Sequence, residues 1–350
     1  MRTACRLAVV VALGVAATAP AQDDAARRAT VLPTTELPAV LDLTPPELLA
    51  PPECAPHVEA PAGGWYGSVE FLYLTPRVRD LDFAIVDPRD DLVPAGRVQS
   101  LNYRASPGVR AALAYRVPGL GWDVGFAYTY FTASDEFGAA APAGGLLYPT
   151  LTRAGMTNEA QAAAAEVHLT LNVYDLTAGR TWDVDCACRL RVFGGLRFAT
   201  VRQSLTAGYV GRDADCAFVE SRSNYDGVGP LFGGEAALGV GGGFGLFGRA
   251  SGALLTGTMR APFTETNNAG GTVLADLPDR GALTVPVVSL GVGLTYECHG
   301  VFVRAGYEVT NWFGLFERPT FVDDVAEGKF VRRSGNLSLD GFFLQFGLAF

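Results

Sequence analysis

Hydrophobic and polar residues alternate along much of the chain after Trp65, and the last ten residues show the pattern most clearly. From Gly341 to Phe350 the even positions are Phe, Leu, Phe, Leu and Phe, whereas the odd positions are Gly, Phe, Gln, Gly and Ala. Successive side chains of a β-strand point to opposite faces, so one face of this segment is entirely apolar. The pattern predicts a strand with an apolar outer face and a small or polar inner face, as in the lipid-facing strands of membrane barrels.

The same alternation recurs upstream, near residues 122–130, 166–173, 189–198 and 301–309. In each segment we assign the apolar residues to the lipid face and the charged residues to the inner face. A charge facing the middle of a lipid bilayer costs about 2–4 kcal/mol, which is the physical reason for this assignment. It predicts that the following residues line the lumen: Glu70, Arg110, Asp123, Glu166, His168, Arg189, Arg191, Arg197, Glu235, Arg249, Arg304 and Glu308.

Connections of two lengths separate these segments. Short links rich in Gly, Pro or Cys fall at 117–121, 181–188, 241–243 and 298–300. Longer polar segments lie near 77–98, 135–160, 206–224, 261–281 and 317–334. Short periplasmic turns that alternate with longer external loops are typical of outer-membrane barrels. The chain is therefore predicted to be all-β, an antiparallel transmembrane outer-membrane β-barrel of about ten strands. Twelve strands are the alternative if 206–224 contains another hairpin.

The N-terminal part of the chain has a different composition. Arg2 and Arg6 precede a short apolar run, and Ala19-Pro20-Ala21 is a small-residue cleavage site, so residues 1–21 are predicted to be a signal peptide. Residues 22–62 are rich in proline among acidic and small residues, which predicts an extended, disordered periplasmic linker. The barrel is then expected to occupy residues 63–350, in the outer membrane of a bacterium.

The amino-acid composition favours a β-strand fold and argues against a nucleic-acid partner. The chain has 42 Gly and 21 Pro in 350 residues, which favours many strands and turns over long buried helices. Its formal net charge is −9, and Lys329 is its one lysine, so no nucleic-acid partner is expected.

Several stretches resemble a known family. They are 64–73, 107–110 through Trp122 to 128–131, 193–199, 227–230 and 304–308 with Trp312. These stretches are similar to the pore-forming outer-membrane protein family named for the Legionella major outer-membrane protein. The resemblance covers about 64–350 and implies a pore-forming barrel without catalytic residues. The C-terminal pattern also resembles the assembly signal read by barrel-insertion machinery, and its residues are Phe342, Leu344, Phe346, Leu348 and Phe350.

No catalytic or metal-binding set is evident in the sequence. The three histidines are scattered over a linker, a strand and a turn, and the mature cysteines are Cys54, Cys186, Cys188, Cys216 and Cys298. Disulfides at the periplasmic rim are compatible with this odd number, whereas no zinc spacing is present. No cofactor and no enzymatic activity are expected. The best candidates for an outer-membrane enzyme are two acidic pairs at the outer rim, which are usually solvated loop tips: Asp135, Glu136, Asp323 and Asp324.

The predicted function is passive passage of small polar solutes or ions, with outer-membrane lipid and the insertion machinery as partners. Charges of both signs in a ten-stranded lumen either pair across the interior and close it or line a narrow water-filled path. The sequence leaves both readings open. The alternative function is a non-conducting structural or surface-interaction barrel that acts through its external loops. Oligomeric state, selectivity and disulfide pairing are left open.

Overall fold

The computed structural model describes residues 63–91, 93–184, 187–322, 325 and 329–349. Thirteen strands form there, and ten of them close into one antiparallel barrel. The barrel strands are β1 (Gly64–Val78), β4 (Ser106–Arg116), β5 (Trp122–Ala140), β7 (Ala162–Asp183), β8 (Cys188–Gly211), β9 (Ala214–Gly241), β10 (Phe244–Asn267), β11 (Thr272–Cys298), β12 (Val301–Phe321) and β13 (Phe330–Ala349). The ten-stranded prediction is confirmed. None of the described residues forms a helix long and apolar enough to cross a membrane.

Three short strands make a separate antiparallel sheet in the long connections. They are β2 (Asp82–Asp87), β3 (Arg97–Ser100) and β6 (Leu146–Pro149), in the order β3-β2-β6. The first two lie between β1 and β4, and the third lies between β5 and β7. The predicted signal peptide and proline-rich linker lie outside the described residues, as does Phe350.

Closure depends on β1, which pairs with β4 on one side and with β13 on the other. Glu70 is opposite Arg110 in the first pairing and opposite Gln345 in the second. Both chain ends of the barrel therefore lie at the same end as the short connections 117–121, 184–187, 242–243 and 299–300. By the usual asymmetry of outer-membrane barrels, this is the periplasmic end.

Two segments that were predicted to be external loops form strands instead. The segments 206–224 and 261–281 are continuations of long strands that end in tight hairpins at 212–213 and 268–271. Arg212 and Asn268 adopt left-handed backbone conformations, with φ of 63° and 54°, which such turns require. The prediction failed because outward positions here are polar, as in a water-exposed sheet, and a polar segment was interpreted as a loop.

An apolar belt surrounds the periplasmic half of the barrel. On β9 the outward residues from Val228 to Val240 are apolar or glycine, whereas Glu220, Arg222 and Asp226 face outward nearer the other end. β8 changes in the same way between Phe198 and Thr200. The belt runs from Leu190 to Phe198 on β8 and from Val228 to Val240 on β9. A tilted strand needs about 9–11 residues to cross the hydrocarbon core, so both stretches are long enough.

Beyond the belt, the inner face of the barrel is apolar and the outer face is polar. The interior there is an apolar core that includes Val201, Tyr225 and Val285, all fully buried. The three-stranded sheet packs into this core, and the Tyr209 hydroxyl donates a hydrogen bond of 2.6 Å to the Phe83 carbonyl. The half of the barrel beyond the belt is therefore filled with side chains.

This exchange corrects the lumen assignment of Glu166 and His168. The predicted lipid-facing residues Val167 and Leu169 are fully buried in the interior, whereas Glu166 and His168 point outward, more than half exposed. The two outward residues contact each other, with His168 Nε2 2.5 Å from Glu166 Oε1. They lie beyond the belt, where the outer face is in water and the interior must be apolar, so the lipid argument does not apply there.

Candidate functional site

A chamber of about 390 Å³ lies inside the belt, at the periplasmic end of the barrel. All ten barrel strands contribute to its wall. It extends from the level of Arg116 and Gly300, beside the short turns, to a ceiling of apolar side chains. The ceiling consists of Leu74, Phe131, Trp312 and Leu339, which are 0–3% exposed.

Four charged residues form a closed cluster in the chamber wall: Glu70 of β1, Arg110 of β4, Arg249 of β10 and Glu308 of β12. Arg110 donates to Glu70 at 2.5 Å and to both carboxylate oxygens of Glu308 at 3.1 Å. Arg249 donates to both Glu70 oxygens, at 2.7 and 2.9 Å, and also to Glu308. Each carboxylate thus bridges two guanidinium groups, and the cluster has no net charge. We call it the four-charge cluster.

A second group of charges is formed by Asp123, Arg191, Glu235 and Arg304. Arg191 is bidentate to the fully buried Asp123, with a shortest contact of 2.5 Å. Glu235 lies between the two arginines, 3.9 Å from Arg191 and 3.7 Å from Arg304. These longer separations leave Glu235 and Arg304 more loosely held than the members of the four-charge cluster.

Three charged residues of the chamber wall were not among the residues predicted to line the lumen: Asp175, Arg116 and Glu297. Asp175 makes a bidentate pair with Arg197, with both contacts at 2.7 Å. Asp175 lies two residues after Val173 and therefore points to the same face of β7. The face of β7 that was predicted to meet lipid thus includes an aspartate at the level of the belt. That conflict was the available signal that the two faces of this strand had been exchanged.

Aromatic rings hold several chamber arginines. The Arg249 guanidinium lies 4.4 Å from the centre of the Phe343 ring. Arg304 lies between Phe247 and Phe302, at 5.1 and 4.8 Å from their ring centres. Such cation–π contacts restrain a long side chain without neutralising its charge.

Several buried polar atoms at the chamber have no hydrogen-bond partner among the described residues. Four belong to chamber-lining side chains, and the fifth belongs to Thr295, which is opposite Arg304 in the sheet. The atoms are Arg116 Nε, Thr181 Oγ1, Thr295 Oγ1, Arg304 Nε and Gln345 Oε1. Each of these atoms has almost no surface accessible to water, so they lie within the wall and not on the chamber surface.

The predicted lumen residues separate into three groups. Glu166 and His168 point outward, and Asp123 is buried behind Arg191. The remainder line the chamber: Glu70, Arg110, Arg189, Arg191, Arg197, Glu235, Arg249, Arg304 and Glu308. Four residues of the predicted assembly signal, Phe342, Leu344, Phe346 and Leu348, are 38–66% exposed on the outer face of β13.

The other candidate residues form no site in the described part of the chain. Asp135 accepts a hydrogen bond from the Asn102 amide at 2.9 Å, while Asp323 and Asp324 lie outside the described residues. No group of His, Cys, Asp or Glu that could hold a metal is found in the described ranges. Cys216 lies on the far hairpin and Cys298 beside a periplasmic turn, so the rim disulfides stay a prediction.

Comparison with known proteins identifies the sequence family. The family model of the Legionella pneumophila major outer membrane protein precursor matches residues 58–350. No curated protein matches the chain. Similar solved structures include the outer membrane protease OmpT from Escherichia coli, with 10% identity, a TM-score of 0.40, and coverage of 81% of this chain and 95% of that one.

Two further solved structures are similar to the chain, and one of them is a transporter by its name. The toluene transporter TodX of P. putida has 11% identity and a TM-score of 0.25, and a Pseudomonas aeruginosa FadL homologue has 7% and 0.22. Each match covers 82% of this chain and 90% of the other. Likenesses this distant carry no argument about function.

Proposed function

Because the chain belongs to the family of the Legionella pneumophila major outer membrane protein, and so is a β-barrel of the bacterial outer membrane, we propose that its chamber is the periplasmic half of a path for small polar solutes or ions. The proposal involves no chemical step. It assigns the charged residues of the chamber to solute selection and the ceiling to closure.

The charged side chains that line the chamber carry this proposal. A volume of about 390 Å³ has room for on the order of ten water molecules, and the lining side chains of Arg189, Glu235 and Arg304 are 19–35% exposed to it. A barrel that served only as an anchor could fill this space with apolar side chains, as the region beyond the belt does. Buried charges cost more than apolar packing unless they are solvated or functional.

The ceiling makes this conformation the closed state of the proposed path. Leu74, Phe131, Trp312 and Leu339 separate the chamber from the apolar core and from the three-stranded sheet. Conduction then requires that the ceiling side chains and the connections bearing β2, β3 and β6 move aside. Hydrophobic constrictions are a known way to gate a pore, because they exclude water when narrow.

A second candidate function rests on the same apolar core. If the core never opens, the barrel conducts nothing and acts through its surface beyond the membrane. The tall hairpins formed by β8 with β9 and by β10 with β11 would supply that surface.

Single-channel conductance in planar bilayers tests the first candidate. The chain without its predicted leader is refolded, and a heat-modifiable gel shift confirms folding before insertion. Discrete steps are expected from the parent protein, and Trp312→Ala is expected to raise the open probability by thinning the ceiling. The outward-facing Trp122→Ala is the matched control for loss of a tryptophan.

Ion selectivity tests the assignment of the chamber charges. Arg304→Glu should shift the conductance toward cations, whereas Arg104→Glu, 87% exposed beyond the belt, should not. A folded, inserted barrel that conducts nothing, with or without Trp312, would overturn the pore and leave the second candidate.

A further inference from the structure

Three arginines and one asparagine form a single row across four neighbouring strands. The sheet register places Arg202 of β8 opposite Asn224 of β9, Asn224 opposite Arg260 of β10, and Arg260 opposite Arg280 of β11. All four side chains point to the outer face of the barrel, because each lies an even number of residues from outward-facing residues of its strand. We call this set the arginine row.

The three arginines of the row share one carboxylate, that of Asp226, which leaves a net charge of +2. Arg202 is held by Asp226 at 2.6 Å and by the Tyr225 carbonyl at 2.9 Å. Arg260 is half exposed and lies 3.7 Å from the same Asp226. Arg280 is exposed and has no ion pair among the described residues. Asp226 thus serves two arginines, and the third has no carboxylate.

Direct opposition of Arg260 and Arg280 is unfavourable by itself. Side chains opposite each other in an antiparallel pair have Cβ atoms about 4.5–5.5 Å apart, and like charges there destabilise the sheet. An anion held between the two guanidinium groups removes this repulsion. Phosphate suits such a site because guanidinium donors match its oxygens in bidentate geometry.

The position of the arginine row along the strands, relative to the belt, indicates where the phosphate comes from. On β8 the last outward residue of the belt, Phe198, is four residues below Arg202, or about 13 Å along the strand. The outward positions between belt and row are hydroxyl-rich and include Thr200, Thr258 and Thr284. The arginines therefore lie at the level of the polar headgroups of the outer leaflet, directly above the lipid-facing belt.

We propose that the arginine row binds the phosphate of an outer-leaflet lipid whose acyl chains lie along the apolar outer face of β8–β11. Asn224 lies between the arginines as a neutral hydrogen-bonding group, and the threonines below it suit the sugar or glycerol part of a headgroup. The inference depends on location in the outer membrane and not on the proposed pore, so a non-conducting barrel would leave it intact.

Native mass spectrometry of the refolded full barrel tests the proposal, with diphosphorylated lipid A as the probe. The double variant Arg260→Gln with Arg280→Gln is compared with Arg97→Gln and Arg104→Gln, which removes two exposed arginines beyond the belt. Lipid binding should weaken about 25-fold in the first, roughly fivefold per arginine near an anionic lipid surface, and remain unchanged in the second. Arg260→Lys with Arg280→Lys keeps both charges but not the bidentate donors, so its binding should fall between that of the parent and that of the double glutamine variant.

Other outcomes would overturn the proposal. Equal loss in both double variants would mean that overall charge, not this row, determines lipid binding. Displacement of lipid A by inorganic phosphate at similar concentration would show a free-anion site. The gel shift confirms that each variant is folded, and conductance measured in parallel reports on the pore separately.

Discussion

Glu308→Gln provides the sharpest test of the chamber, because it removes one of the two carboxylates of the four-charge cluster. Glu308 accepts three hydrogen bonds, two from Arg110 and one from Arg249. After the substitution, the single charge of Glu70 faces two guanidinium groups. The amide keeps the shape of the side chain, so the change isolates charge from packing.

The magnitude follows from burial. The side chains of Glu308, Arg249 and Arg110 are 6%, 21% and 25% exposed. Removing one partner of a buried ion pair costs about 3–5 kcal/mol. Water in the chamber solvates part of the freed guanidinium groups, so we expect the lower end, about 3 kcal/mol. Glu297→Gln is the matched control, because Glu297 is 24% exposed and 3.9 Å from Arg189, and it should cost at most about 1 kcal/mol.

Equilibrium urea unfolding in phospholipid vesicles, followed by tryptophan fluorescence, measures both free energies of unfolding. Adding Arg249→Gln to Glu308→Gln rebalances the charge and should recover part of the loss, which a double-mutant cycle quantifies. If Glu308→Gln and Glu297→Gln differ by less than about 1 kcal/mol, the cluster does not stabilise the barrel as described.

Two further predictions use the same unfolding assay. Leu176→Arg, in the belt of β7, should destabilise the barrel by about 2–4 kcal/mol. Thr170→Arg, on the same outer face but beyond the belt, should cost less than about 1 kcal/mol. Equal costs would mean that the membrane boundary is misplaced. Burial raises the pKa of Glu265, near the far tip of β10, from its ordinary 4.5 to about 7. Because the unfolded chain gives up this proton more readily, stability should fall by up to about 3 kcal/mol as pH rises from about 4.5 to above 7, and Glu265→Gln should remove this dependence; an unchanged pH profile in that variant would contradict the assignment.

The belt region was predictable because lipid imposes one rule on every strand that crosses it. The outward positions of β13, from Phe342 to Leu348, must be apolar, and Glu70, Arg110 and Glu308 can only face inward. The strand count also followed from the sequence, since Gly-rich and Pro-rich turns mark the periplasmic end. The sequence does not show which residues of different strands lie opposite each other. The cluster that joins Glu70 to Arg249 on a distant strand could therefore not be predicted.

By itself, then, the sequence determined which residues alternate and, within the belt, which face meets lipid. Only the tertiary structure decided where the belt ends. Beyond Tyr174 on β7 the same period-two pattern continues, yet its apolar residues turn inward and Glu166 and His168 turn outward. Alternation defines two faces without saying which one is inside, and the solvent on each side determines that. The closed ceiling and the arginine row depend likewise on which residues of different strands lie side by side.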